Sequence, residues 1–526
     1  MKGLRFENVE SATPVIPVRN DVACFLGLAA VRSGSDGSLP EVPESLRRWL
    51  VAEGWWTETG AGALRPGSLL DVPLPIGDWA TFDHLFAWEQ RPYGKLGGVP
   101  VSGAGYLGAA VRSFFAQGGR KCYVVSAGAP LSYDAPRAAR DAQLAALLPV
   151  YQGQRSRREQ WHGLHHLFGL PEVAFVTLPD LAELAADAPP RATPAQDLPP
   201  PAEPRFTACV TPTAAPEANP VVRRLNAPWH DAAGFGRWRV ALRRALHWLH
   251  DWRRDVQLLA ALPQAEPSSE AAADPLVRLH ATDSLRGDLA RSGSLASPRL
   301  QLLHPWLQLD YAGDLPAALE PGEGVLAGLL ARNALTRGTW RNASGQPLLG
   351  LRDLSPRLSR AARLAPNPQA PQDASPQAPL IDRVSLLDET PAGRVLRSDV
   401  TTDNDPLRRQ AAIERTLGMI WRAARLLGDE FVFENSGESL WRRVEQRLGE
   451  LLTELQDAGA LAGRRPGEAF GVRCDRATMS QQDIDNGRVI AQLWVRPVAS
   501  IETLRIQLTL GDAGQVSLRR LGREAA

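Results

Sequence analysis

The sequence predicts an α/β protein (α+β overall) with a mixed β-sheet flanked by helices, a peripheral insertion, and extended strand arms at both chain ends. Three observations carry this expectation. Short apolar strands alternate with helical segments through residues 1–185, two strongly amphipathic helices appear beyond residue 400, and the final strand alternates apolar and polar residues with period two.

The elements follow in chain order. Val22-Ala23-Cys24-Phe25-Leu26-Gly27-Leu28 is a short continuous apolar run, the pattern of a strand buried on both faces. Leu107, Ala110, Val111, Phe114 and Phe115 recur at helical spacing within 104–117, and Gly118-Gly119 closes that helix. Lys121-Cys122-Tyr123-Val124-Val125 predicts the next strand, Ala142–Leu148 a helix, and 173–178 a strand that stops at Pro179-Asp180. Strands alternating with helices imply a largely parallel sheet covered on both sides. Phe235, Trp238, Leu242, Leu246 and Leu249 mark one face of a helix over 235–252, with a strand at 256–260 behind it and an extended run at 300–309. Ile413, Leu417, Ile420, Trp421, Ala424 and Leu427 form one late amphipathic stripe, and Leu440, Val444, Leu448, Leu451, Leu452 and Leu455 the other. Asn486-Gly487 predicts a tight turn between strands.

Two Pro/Ala-rich stretches, 186–204 and 365–379, lack apolar periodicity and read as linkers. The expected organisation is an N-terminal arm (1–20), a first α/β part (21–185), a linker and variable peripheral insertion (186–295), a middle segment (296–364), a Pro-rich linker and divergent segment (365–400), a C-terminal domain (401–500) and a C-terminal arm (501–526).

Composition excludes several classes. With 59 basic and 58 acidic residues the net charge is +1, so no global field steers the chain onto nucleic acid. No stretch approaches the roughly 20 apolar residues that span a bilayer, and the first residues lack the apolar run of a secretory signal. Cytoplasmic assembly without direct membrane insertion is therefore expected. Cys24, Cys122, Cys209 and Cys474 are far apart, form no CxxC pair, and are expected as small hydrophobes in a reducing compartment.

Four motifs carry possible chemistry. Gly103-Ala104-Gly105-Tyr106-Leu107-Gly108 matches the GxGxxG spacing that brings backbone close to a pyrophosphate. Its preceding stretch contains Pro100, and the following strand ends at Ser126 without a ribose-binding carboxylate, so a loop-to-helix turn accounts for it better. His162, His165 and His166 have a spacing that brings three imidazoles to one helical face, but Gly163 and the missing HExxH glutamate favour helix packing over a metal site. Asp483-Ile484-Asp485-Asn486-Gly487 has Gly where a calcium loop needs its third ligand and lacks the closing Glu. Asn342-Ala343-Ser344 is a glycosylation sequon by spelling only, which a cytosolic chain would not use. No catalytic residue, cofactor site or metal site is expected.

The order of further segments is similar to a known family. The run 106–125 (YLGAAVRSFFAQGGRKCYVV), His304-Pro305-Trp306-Leu307, and 320–328 resemble conserved-order segments of contractile tail sheath proteins, as do Arg332-Asn333 and Arg337-Gly338-Thr339-Trp340. Phe431-Val432-Phe433-Glu434-Asn435, Leu440-Trp441, Gly459–Gly463, Glu468–Asp475, Asp483–Arg488 and Arg496-Pro497 continue the resemblance over about 400 residues. The resemblance implies a structural subunit that stacks in hexameric rings as a helical tube around an inner tube protein, between a baseplate and a terminal cap. Such a subunit contracts to drive the tube through a target envelope, as part of a phage-tail-like particle or virion tail. It needs no cofactor. The alternative is an α/β nucleotide-dependent enzyme using the Gly103–Gly108 loop.

The resemblance also gives the chain ends a role. Leu4 and Phe6 alternate with Arg5 and Glu7, and Leu504, Ile506, Leu508 and Leu510 alternate with Arg505, Gln507 and Thr509. A terminal strand without an evident hairpin partner pairs elsewhere. These six residues are expected to mark strand arms exchanged between subunits.

Overall fold

The computed structural model describes residues 18–34, 38–57, 63–91, 95–96, 99–150, 155, 157–186, 223–264, 294–364, 380–391, 393–406, 408–431, 434, 436–498, 503–511 and 515–524. The chain divides into two compact units, one holding Asn20–Arg415 and the other Thr416–Ala526.

The first unit contains β1 (Ala23–Gly27), α1 (Glu44–Ala52), β2 (Leu74–Ile76), α2 (Trp79–Leu85), β3 (Lys95–Leu96), β4 (Val99–Ser102), α3 (Tyr106–Ala116), β5 (Cys122–Ser126) and α4 (Arg137–Leu147). It continues with β6 (Phe175–Thr177), α5 (Leu181–Ala185), β7 (Arg223–Arg224), α6 (Ala232–Trp252), β8 (Gln257–Ala261), β9 (Leu300–His304), β10 (Trp306–Leu309) and α7 (Glu323–Thr336). The last elements are β11 (Leu351–Ser355), α8 (Arg360–Leu364), β12 (Ser385–Thr390) and β13 (Gly393–Leu396). Eight strands form one mixed sheet in the order β13-β12-β9-β8-β6-β1-β5-β2. Its inner strands run parallel, and the edge strands β2 and β13 pair antiparallel.

Burial on both faces explains the near-continuous apolar runs. Because side chains alternate along a strand, Ala23 and Phe25 enter one core and Cys24 and Leu26 the other. The first core is covered by α3 and α7, through Leu107, Val111, Phe114, Val325 and Leu329. The second is covered by α6, through Phe235, Trp238, Leu242, Leu246 and Leu249, and by the turn around Leu164 and Leu167. Helices α3 and α7 cross at backbone distance. A Cβ on Gly324 would sit 2.1 Å from the carbonyl oxygen of Ala110, and one on Gly328 would sit 2.4 Å from that of Phe114.

The second unit begins within α9 (Ala411–Phe431), whose first residues belong to the first unit. It then contains α10 (Glu438–Asp457), α11 (Pro466–Ala469), β14 (Phe470–Arg473), α12 (Gln481–Asp485), β15 (Val489–Val495), β16 (Thr503–Gly511) and β17 (Gln515–Glu524). These strands form an antiparallel sheet in the order β14-β15-β16-β17. Helix α10 lies over β14 and β15, and its buried face is the stripe read from the sequence, Leu440, Val444, Leu448, Leu451, Leu452 and Leu455.

Three expectations change. Residues 186–295 are not a peripheral insertion throughout, since α6 covers a core face and β8 lies between β6 and β9 with all five residues buried. The Pro-rich stretch 365–379 does not separate domains, because β12 beyond it returns to pair with β9. Asn486-Gly487 is no hairpin turn: Asn486 caps α12, and Gly487 at φ 68° follows in the left-handed region that glycine favours. Residues 187–222 and 265–293 lie outside the described residues.

This placement sets a prediction. Deleting 190–290 removes a central strand and its covering helix, so the product is expected to be insoluble. Recovery of a soluble, cooperatively melting protein would show that β8 is dispensable.

Candidate functional site

In an open parallel sheet, ligands bind outside the carboxyl ends of the strands where the strand order reverses. Here that place is beside β1, which has β5 on one side and β6 on the other. The Gly103–Gly108 motif opens α3 at this crevice, but the strand before it, β4, belongs to a separate small sheet with β3 and β7. The turn therefore lacks the strand-to-helix geometry that a dinucleotide requires.

The crevice is filled by the protein itself. Asp180, 3% exposed, follows β6 and accepts the Leu28 N–H at 2.7 Å and the Tyr106 N–H at 2.9 Å. A carboxylate thus sits at the N-terminus of α3, where a phosphate would bind in a nucleotide site. Burial pushes the Asp180 carboxyl up to about 7, against the pull of those two N–H bonds. Around it, Ser126 bridges both the N–H and the carbonyl of Ala29, and Arg91 forms a buried two-pronged pair with Glu183 while lying 3.6 Å over the Tyr133 ring. The glycines serve this packing: a Cβ on Gly103 would meet the Tyr133 hydroxyl at 2.0 Å, and one on Gly108 the Trp88 ring at 2.4 Å. The remaining cavity, beside Arg91, Asp180 and Glu183, measures about 10 Å³, about one water's worth of space.

The histidines separate. Gly163–Gly169 is a 3-10 helix rather than an α-helix. His162 and His166 turn to Asp71, at 2.5 and 3.0 Å, whereas His165 stacks on Trp248. Burial acts to raise the Asp71 carboxyl, but hydrogen bonds from His166, Gly163 N–H and His162 outweigh it and hold it well below the usual range. Asp71 occupies the left-handed region at φ 52°, and these bonds hold it there. Among the described residues, no group of three or more His, Cys, Asp or Glu side chains is placed to hold a metal ion. Asp483 is engaged in a capping box with Ser480, so the calcium-like spelling is a helix start.

A surface groove of about 630 Å³ is lined by Pro40, Glu41, Pro43, Glu44, Arg47 and Trp56, among others. Glu44 there pairs with Arg48, and His84 bonds the Glu41 carbonyl.

Leu4 and Phe6 lie outside the described residues. Leu504, Ile506, Leu508 and Leu510 fall on β16, opposite Val495, Leu493, Ala491 and Val489 of β15 in register. Those four β15 residues are all buried. Contrary to the sequence expectation, β16 has a hairpin partner in its own chain, β17, which pairs along its other edge. Among the described residues no strand pairs with the outer edges of β14 and β17.

Among the described residues, then, the crevice is filled by the protein's own side chains and the outer edges of β14 and β17 are unpaired. The fold is that of the contractile sheath proteins. A chain of the anti-feeding prophage (AFP) baseplate, 6-fold symmetrised, superposes with TM-score 0.53 at 18% identity, covering 95% of both chains. The AFP helical sheath in its contracted state gives 0.51 at 19% identity over 94% of this chain and 95% of that one. The PVC sheath complex of an extracellular contractile injection system, also contracted, gives 0.50 at 15% identity over 95% and 94%. No protein-family model and no curated protein matches the sequence. Among the described residues, no helix is long and apolar enough to cross a membrane.

Proposed function

We propose that this chain is the structural subunit of a contractile sheath, polymerising as stacked rings around an inner tube and contracting to drive that tube through a target envelope. The observation that carries this reading is the end-to-end match of fold, in which about 95% of this chain and of the AFP baseplate chain superpose. A partial match would support a shared domain; a match over both units supports a shared job. The partners are other copies of the chain, an inner tube protein, and baseplate and cap proteins, assembled in the cytoplasm into a phage-tail-like particle.

The mechanism is assembly rather than catalysis. Each exposed strand edge presents unpaired N–H and C=O groups that a further strand satisfies. The open edges of β14 and β17 are the places for such a strand, and the arm around Leu4 and Phe6 is the strand that we assign to join neighbours, since Leu504–Leu510 is paired on both edges within its own chain. Energy for contraction resides in subunit packing, so no nucleotide is consumed. The enzyme reading is disfavoured because Asp180 already holds the N-terminus of α3.

Expression of the full chain tests this directly. Negative-stain microscopy is expected to show long hollow tubes. A chain that stays monomeric at high concentration, with or without an inner tube protein, would remove the proposal.

A further inference from the structure

Glu320 and Glu323 flank the Pro321-Gly322 turn that opens α7, and both are buried, at 0% and 4% exposure. Each has one oxygen engaged. Tyr311 passes a hydrogen bond to Ser113 at 2.8 Å, and Ser113 donates to Glu320 Oε2 at 2.8 Å. Glu323 Oε1 accepts the Ala261 N–H at 2.9 Å, at the carboxyl end of β8. The other two oxygens, Glu320 Oε1 and Glu323 Oε2, are buried without a partner.

A buried carboxylate without an ion pair is costly, and the usual outcome is neutralisation. The groups facing this pair supply little positive charge. From α3 come Ser113 and Arg112, whose guanidinium is spread over the Tyr311 and Trp79 rings at 4.6 and 5.5 Å. From the segment after β10 comes Tyr311, with Asp310 beside it. From the loop after β6 comes Asp180, another carboxyl, and from β8 only a backbone N–H. Each glutamate also faces the other.

We propose that Glu320 and Glu323 are kept as neutral carboxylic acids and form a joint between α7, α3 and β8 that loosens when they ionise, so that the α/β unit is firmer in mild acid than in mild alkali. Burial pushes both carboxyls up to about 8, with the Ser113 hydroxyl opposing it at Glu320 and the Ala261 N–H at Glu323. The sign follows. A folded-state value above the unfolded one, about 4.3, means the folded protein binds more protons between the two values. Stability is then greatest below the lower value and falls until pH passes about 8. Most proteins lose stability toward acid; this joint works the other way.

The experiment is denaturant unfolding of the full chain between about pH 5 and pH 9, wild type against the Glu320→Gln, Glu323→Gln double variant. Each carboxyl raises the wild-type unfolding constant by up to about tenfold per pH unit in this window. Gln keeps the shape without the charge, so the variant's profile should be flatter and its stability at the alkaline end higher. Asp180, which faces Glu323, is present in both proteins, so the difference between the two profiles reports the glutamates together with their coupling to it. Parallel profiles overturn the proposal. The wild type alone gives a second reading that does not depend on the variant folding: infrared spectra at neutral pH should contain a protonated carboxylic C=O band larger than the single carboxyl that Asp180 can supply, and the band should disappear in alkali. A band no larger than that at neutral pH overturns the proposal equally.

Discussion

Replacing Asp399 by alanine is expected to destabilise the α/β unit by about 3–5 kcal/mol, because it leaves a buried guanidinium without its counter-ion. Arg415 meets the Asp399 carboxylate with two bonds of 2.8 and 2.6 Å, and neither side chain is more than 3% exposed. The same carboxylate accepts the Gln301 amide at 3.0 Å and the Ala343 N–H at 2.8 Å. One side chain thus ties β9, the loop before β11 and the first turn of α9. Denaturant midpoints measure the loss, and adding Arg415→Met to Asp399→Ala should recover part of it by removing the stranded charge. A single variant within about 1 kcal/mol of wild type would show that the pair is not a structural tie. Burial acts to raise the Asp399 carboxyl, but Arg415 and the hydrogen bonds outweigh it and hold it below its ordinary value. Its stabilisation is therefore present above about pH 4 and lost as pH falls through the folded value. That is opposite in sign to Glu320 and Glu323.

The second large effect concerns assembly. Removing residues 515–526, which takes away β17, or residues 1–12, is expected to leave a soluble, folded chain that no longer builds tubes. Changing Ile506 and Leu508 to Asp is a poorer test, because those positions sit opposite the buried Leu493 and Ala491 of β15 and the change would also open the chain's own sheet. Cross-strand pairs contribute roughly 0.2–1 kcal/mol each, so losing one connecting strand costs a few kcal/mol per subunit contact. That corresponds to a rise of at least about a hundredfold in the concentration needed for assembly. Sedimentation and electron microscopy give the measurement. Full-length tubes from either truncation would mean that the ends are not the connectors.

Much of the fold was legible because its signals are local. The strands β1, β5, β6 and β8 are short apolar runs, and α3, α6, α9 and α10 show unbroken helical stripes. What escaped the sequence depends on distant partners. The role of Asp180 rests on bonds to Leu28 and Tyr106, 152 and 74 residues away. Proline-rich composition at 365–379 suggests a boundary, but composition reports local order and says nothing of β12 returning to β9. The hairpin partner of β16 had a turn signal, Gly511-Asp512-Ala513-Gly514, but the alternation beyond it breaks at Arg519-Arg520. The register explains the break. Arg505 pairs with Gly522 and Ile506 with Arg520, so Leu521 is an extra residue at a bulge. Glu320 and Glu323 were visible only as part of a family-like segment, since nothing in 320–323 signals that both carboxyls are buried.

The order of the large sheet has a consequence for how the chain is made. After β1 and β5 have paired, every later strand on the long side is added in the order of synthesis: β6, β8, β9, β12, β13. From β6 onward, a chain emerging from the ribosome therefore meets a finished edge on which to lay its next strand, and none of these later strands has to be threaded between two others already in place. The antiparallel β12–β13 pair is laid down last and closes the growing edge. Until it arrives, that edge is an apolar template open to other nascent chains, so a ribosome stalled between residues 304 and 385 would display the most aggregation-prone form of this protein.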